Sequence, residues 1–139
     1  VILLDTNIIS AAMRPEPDAS IVTWLDAQPV ETLFLSVITI AELRHGLAAL
    51  PKGKRQARLQ RAFDEQVLPL FAGRILPFTM HEADIWGDLM AAARAGGKAL
   101  GPLDGQIAAT AKSHGLIVAS RDRSPFEAVG LRVLDPWTD

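Results

Sequence analysis

Cysteine is absent from the 139 residues, which rules out disulfides, thiolate-bound metals and a cysteine nucleophile and suits a reducing, cytoplasmic setting. Long apolar runs are absent as well: none approaches the ~20 residues that a membrane-crossing helix needs, so no membrane association is expected. No basic start followed by an apolar stretch is found, so no secretory leader is expected. Because the sequence opens on Val1, an initiator Met is expected to precede it. Neither charge is in surplus: 14 Lys and Arg against 16 Asp and Glu give a net charge of -2. Contact with nucleic acid must then come from a local patch and not from the field of the whole molecule. Glycine-rich phosphate loops of the G-x-G-x-x-G or Walker A type are missing, and Gly96-Gly97 reads as a helix stop. With no repeat, linker or low-complexity tract, residues 1–139 read as one domain.

What the chain has is a series of short apolar β-rich runs alternating with amphipathic stretches, the pattern of an α/β fold. Strands are predicted over 1–4, 33–36, 74–78, 116–119 and 132–134. Between them the spacing predicts helices over 7–13, from Asp18 to about 28, and over 40–50, 54–71, 81–95 and 103–114. Right-handed crossovers then give a three-layer α/β/α sandwich around a five-stranded, mainly parallel sheet. Trp24 and Trp86 lie on apolar helical stripes and are expected in the core, while Trp137 is ambiguous.

Four acids fall where these strands end or these helices begin. Asp5 closes the first strand, Glu42 opens the helix after the second, Asp104 opens the helix leading to 116–119, and Asp122 follows that strand. Crossover helices start at the carboxyl ends of parallel strands, so the four converge on the sheet edge where ligands bind in such folds. Each has a plainer reading. Asp5 can cap a helix, and Thr39-Ile40-Ala41-Glu42 spells a capping box. Asp104 suits a helix dipole, and Asp122 lies between Arg121 and Arg123 as in a surface ion pair. Those readings do not account for convergence. Two carboxylates about 5 Å apart repel by roughly 3 kcal/mol at an effective dielectric near 20, so a cluster either raises its pKa values or recruits a cation. Hard oxygen donors without Cys or clustered His select Mg²⁺ or Mn²⁺ over Zn²⁺.

Supporting groups are in reach. Thr6, Asn7 and Ser120 carry hydroxyl or amide groups suited to orienting carboxylates or bound water. The histidines are weaker candidates: Glu42 and His45 form a single Glu-x-x-His step where a di-iron bundle needs two, and His81 and His114 lie at helix ends. Lys52, Lys54, Arg55, Arg58 and Arg61 form a basic stretch within ten residues. Such a stretch is ordinarily a solvated helix face, but beside a phosphodiester-handling site it, with Arg121 and Arg123, is a candidate for RNA contact.

Five segments taken together resemble the PIN-domain ribonucleases, in particular the toxin subunits of VapBC-type toxin–antitoxin modules and their FitB-like branch. They are Val1–Asn7, Ile40–Arg44, Phe71–Phe78, Leu103–Ala111 and Val118–Asp122, and they occur in order along the whole chain. The resemblance implies an α/β/α PIN fold and Mg²⁺- or Mn²⁺-dependent cleavage of RNA. It assigns the metal site to the quartet Asp5, Glu42, Asp104 and Asp122, with the Thr6 hydroxyl nearby; of these, Asp5, Asp104 and Asp122 are expected to touch metal directly or through water, with Glu42 completing the pocket. Ser120 stands where relatives often have Thr. Arg123-Ser124-Pro125 lacks the further acidic or amide residue that some relatives carry, which leaves a second metal position without that ligand. A homodimer and a small DNA-binding antitoxin whose tail blocks the pocket are also implied. Two other readings stand beside it: a non-catalytic PIN-like module working through an antitoxin–operator complex, and a phosphoryl-transfer domain using Asp5 as an aspartyl nucleophile with a nearby Lys.

Overall fold

Leu3 and Leu4 are neighbours in the first strand and both are fully buried, one in each of two apolar cores. That alternation is what a strand covered on both faces requires. The computed structural model describes residues 1–139 and holds five strands: β1 (Ile2–Leu4), β2 (Leu33–Ser36), β3 (Ile75–Leu76), β4 (Ile117–Ala119) and β5 (Val133–Leu134). Their order is β3-β2-β1-β4-β5 and every pairing is parallel. The sheet is thus wholly parallel, a stricter version of the mainly parallel sheet that the sequence predicts. The chain order turns outward in both directions from β1, and such a reversal is where crevices open at the strands' carboxyl ends.

Seven helices cover the two faces: α1 (Thr6–Met13), α2 (Ala19–Ala27), α3 (Val37–Ala48), α4 (Lys54–Ala62), α5 (Met80–Ala95), α6 (Pro102–His114) and the short α7 (Ser124–Glu127). Leu4, Leu33 and Leu35 pack with Ile8, Ile21, Leu43 and Phe63 beneath α1–α4. Leu3, Val118 and Val133 pack with Leu89, Ile107 and Phe126 beneath α5–α7. Trp24 borders the first core and Trp86 the second.

Three local details depart from the sequence reading. The stretch 54–71 is not one helix: α4 ends at Ala62, a π-helical turn covers Phe63–Val67, and a 3₁₀ turn covers Leu68–Phe71. Pro69 lies in that last turn, where a regular α-helix would need the backbone donor it lacks. β3 is confined to two residues at the sheet edge. The third detail concerns α3, which begins at Val37 with Ser36 as its cap; the Ser36 hydroxyl accepts from the Thr39 N–H at 3.1 Å. Thr39 is therefore inside the helix, and the predicted Thr39–Glu42 box does not form. The chain's capping box lies at Thr79 and Glu82, opening α5.

α5 and α6 pack closely because residue 105 is glycine. A Cβ there would stand 2.6 Å from Met90 Sδ and 3.0 Å from Trp86 Nε1. The Trp86 indole N–H donates to the Pro102 carbonyl at 3.2 Å, which pins the first turn of α6, the turn that bears Asp104.

Candidate metal centre

Asp5 caps α1 with one carboxylate oxygen and leaves the other for longer-range contacts. Its Oδ1 accepts from the Thr6 N–H at 2.8 Å, and its Oδ2 accepts from the Ser120 hydroxyl at 2.7 Å. The residue is only 6% exposed. Burial pushes its carboxyl up to about 6; hydrogen bonds from Ser120 and Thr6 oppose the shift, and the charges of Asp104 and Glu42 add to it. The cap reading is thus true of half of this carboxylate.

Glu42 sits in the second turn of α3 and accepts from the Thr6 hydroxyl at 2.7 Å, not from the backbone of Thr39. The Thr6 and Thr39 hydroxyls are 3.2 Å apart, so Thr6 joins the starts of α1 and α3. Asp104 lies in the first turn of α6 behind Pro102. Burial raises its pKa, and the negative charges of Asp122 and Glu42 raise it further. Asp122 follows β4 with its backbone N–H donating to the Ser120 hydroxyl at 3.0 Å. Each of these acids is therefore held by a different element, and each feels the charge of at least one of the others.

Together they line one cavity of about 340 Å³ with Thr6, Asn7, Ser10 and Arg14, and no apolar side chain contributes. The four carboxylates share a space, but no three acidic or imidazole groups close on one point as a preformed cage. A hydrated Mg²⁺ does not require such a cage, because it keeps several waters and takes only one or two carboxylates directly. The lining has no thiol and no imidazole, so the donor set is hard oxygen throughout.

Asn7 completes the frame. Its amide donates to the Ser120 hydroxyl at 3.1 Å, and its carbonyl oxygen accepts from the Arg121 N–H at 3.3 Å. Ser120 is fully buried. Its single proton goes to Asp5, and its two lone pairs receive Asn7 and Asp122. No capacity is left over.

The basic candidates separate. Arg55 lines a groove adjoining the acidic cavity. Lys52, Lys54, Arg58 and Arg61 are exposed and line neither. Arg121 lies over the Trp137 ring, 5.0 Å from its centre. Arg123 is engaged with Glu127 and Asp139 and donates to the Val133 carbonyl. None of the three histidines reaches the cavity. Ser10 and Arg14, which the sequence analysis does not single out, do reach it. The signal was their spacing: Thr6, Ser10 and Arg14 repeat every four residues, one face of α1 and its end.

The model of the PIN domain matches residues 2–131. The chain belongs to the PIN-domain family. Among similar proteins, a VapC ribonuclease of Sinorhizobium fredii is 53% identical over 137 residues, covering 99% of this chain and 98% of the relative. The toxin FitB of Neisseria gonorrhoeae is 48% identical and covers 100% of both. The crystal structure of FitAcB from Neisseria gonorrhoeae matches this PIN domain with a TM-score of 0.95 at 47% identity, over 99% of each chain. A DNA-bound VapBC complex from Salmonella typhimurium matches with a TM-score of 0.77 at 27% identity, over 97% of each. The PIN fold is thus shared across its whole length. No helix of this PIN domain is long and apolar enough to cross a membrane.

Proposed function

We propose that this PIN domain is a Mg²⁺- or Mn²⁺-dependent endoribonuclease and the toxin of a toxin–antitoxin pair, acting in the cytoplasm. The observation that carries this reading is the cavity in which Asp5, Glu42, Asp104 and Asp122 meet without one apolar neighbour. Nothing in a stable fold rewards gathering four carboxylates, and the pKa values of Asp5 and Asp104 are raised first by burial and then by the charges of neighbouring acids. Relatives named as ribonucleases and as a toxin, all matched nearly end to end, support the same conclusion.

Asp5, Asp104 and Asp122 would hold the cation, directly or through its waters. When bound, it supplies a water of lowered pKa and neutralises charge building on the phosphate in the transition state. Asp5 is fixed by Ser120 and Thr6, so its free lone pairs keep one direction. Glu42 is oriented by Thr6 and lines the cavity, where its carboxylate would position the attacking water. Arg14, at the cavity wall, is placed to meet a phosphate oxygen. The aspartyl-phosphate alternative requires a Lys near Asp5, and the cavity wall has none.

A small DNA-binding antitoxin and a second copy of the chain are the proposed partners. Solved relatives include FitAB bound to a DNA fragment and a DNA-bound VapBC complex, which supports the first. The deciding experiment is cleavage of single-stranded RNA by the antitoxin-free protein, with Mg²⁺ and with EDTA, for the wild type and Asp104→Asn. Metal-dependent cleavage lost in the variant supports the reading. A wild type that binds its antitoxin and operator yet cleaves no RNA would establish the non-catalytic module instead.

A further inference from the structure

A second groove of about 280 Å³ opens directly from the acidic cavity and shares Thr6, Ser10, Arg14 and Glu42 with it. It runs between the end of α1, α3 and the start of α4. Its floor is aliphatic: Leu43, Leu47, Leu50, Leu59 and Met13. Its rim carries two cations, Arg14 and Arg55. Resting on the nuclease reading above, we propose that this groove is a nucleotide subsite. The unpaired base flanking the scissile phosphate lies on the aliphatic floor, and the neighbouring phosphates are held by Arg14 and Arg55.

Three observations favour this occupant. First, neither arginine belongs to any of the chain's three ion pairs, which join Arg44 to Asp64 and Arg123 to Glu127 and Asp139. Neither stacks on an aromatic ring. Two extended, unspent guanidinium groups on a rim suit phosphate oxygens. Second, the charge near Arg55 is placed against helix stability. α4 opens with Lys54 and Arg55, has no acid in its first turn and no side-chain cap, although cations there oppose the helix dipole. Third, the wall bearing Arg55 is fixed. Gln56, its neighbour, donates its amide to the carbonyls of Leu47, Ala48 and Leu50, tying the start of α4 to the end of α3.

An aliphatic floor without rings or hydrogen-bonding side chains fits any base loosely and excludes a stacked, paired one. The subsite therefore selects single-stranded RNA and contributes little sequence preference.

Gly46 provides a clean test. It lies on α3 in the groove lining, and a Cβ built on it meets nothing within 4 Å. Gly46→Leu thus adds bulk at the groove lining from a position where its Cβ meets no neighbour, and favours the helix. The measurement is fluorescence anisotropy of a labelled single-stranded RNA on the Asp104→Asn protein, alone and with Gly46→Leu, Arg14→Ala or Arg55→Ala added. Expected is a fall in affinity of about tenfold or more for Gly46→Leu with its salt dependence unchanged. Each arginine variant should lower the slope of log K on log salt by about 0.7, the value for one contact to a single strand. In the Asp104-intact background, Gly46→Leu should leave the Mg²⁺-induced rise in Tm as it was, so a failed groove and a failed metal site give different results. Unchanged RNA affinity in Gly46→Leu overturns the subsite, and if that variant instead loses a co-expressed antitoxin, the groove belongs to the antitoxin.

Discussion

Ser120 donates its hydroxyl proton to Asp5 Oδ2 at 2.7 Å, joining residues 115 positions apart in the sequence. Ser120 Oγ also accepts from the Asn7 amide and the Asp122 N–H, so one buried hydroxyl sets the positions of two of the four acids. Ser120→Ala leaves the Asp122 N–H without an acceptor, removes the shortest bond to Asp5 Oδ2 and leaves the Asn7 amide only its 3.4 Å contact with that oxygen. We expect a stability loss of about 1–3 kcal/mol. We also expect Mg²⁺ affinity and cleavage to fall roughly 10–100-fold, the usual cost of losing a group that orients a ligand. Calorimetric Mg²⁺ titration beside an RNA cleavage assay reads both.

Asp104→Asn should behave in the opposite way toward stability. The folded pKa of Asp104 is raised by burial and by its neighbours' charges. Its contribution therefore favours the folded state below the unfolded value, 3.8, and is lost as pH rises through the folded value. At pH 7 without metal the ionised side chain is a liability, and the amide relieves it. The metal-free variant should melt higher than the wild type at pH 7, the gap closing toward pH 4, while its response to Mg²⁺ and its cleavage vanish. A variant that melts lower at pH 7 would refute the repulsion.

Asp5 predicts the acid limit of metal binding. A carboxyl at about 6 is mostly ionised at pH 7.5 and mostly protonated at pH 5, and only the ionised form holds a cation. The Mg²⁺-induced rise in Tm should accordingly fade between pH 7 and 5. Ordinary carboxylates would keep it down to about pH 4. Thermal melts at fixed Mg²⁺ across that range distinguish the two.

Glu82 should govern acid stability away from the site. It accepts from the Thr79 hydroxyl and backbone N–H and from the Ser113 hydroxyl, and these bonds lower its carboxyl from 4.5 to about 2. The sign is therefore reversed: the stabilisation is present above 4.5 and is lost as pH falls through about 2. Glu82→Gln should lower Tm at pH 7, and its deficit should shrink between pH 4.5 and 2. Cleavage should be unaffected at temperatures where the variant is folded.

Gly105→Ala probes the approach of α5 to α6. The added methyl meets Met90 Sδ, which can rotate away, and the Trp86 ring, which is wedged against the second core. We expect a net cost of about 1–3 kcal/mol from overpacking. A loss of cleavage larger than denaturation explains, at a temperature where the variant is folded, would show Asp104 displaced with its helix.

Much of this was legible in the residues. Short apolar β-rich runs and helical spacings place the strands and most helices, and the positions of Asp5, Glu42, Asp104 and Asp122 at strand and helix ends suffice to bring them to one edge. What spacing hides is which of two equivalent local signals wins. Ser36 and Thr39 are both good caps, and the choice of Ser36 frees Glu42 for Thr6. The break at Phe63 was hidden because Leu59, Phe63, Val67 and Leu70 keep an apolar stripe whether the winding is α or π. Trp137 was ambiguous for a related reason: its indole N–H donates to Asp18, the cap of α2, at 2.9 Å, a contact spanning almost the whole chain. Arg14 was missed because it lies just beyond a helix, where composition says nothing of direction.

β1 sits at the centre of the sheet, between β2 and β4, and Asp5 receives its second hydrogen bond from a residue that follows β4. A ribosome making this protein therefore releases Asp5 and Glu42 well before Ser120 and Asp122. Until then β1 has an open side and its carboxylate has no hydroxyl to hold it. The acidic cavity is therefore complete only once the segment after β4 has joined the sheet.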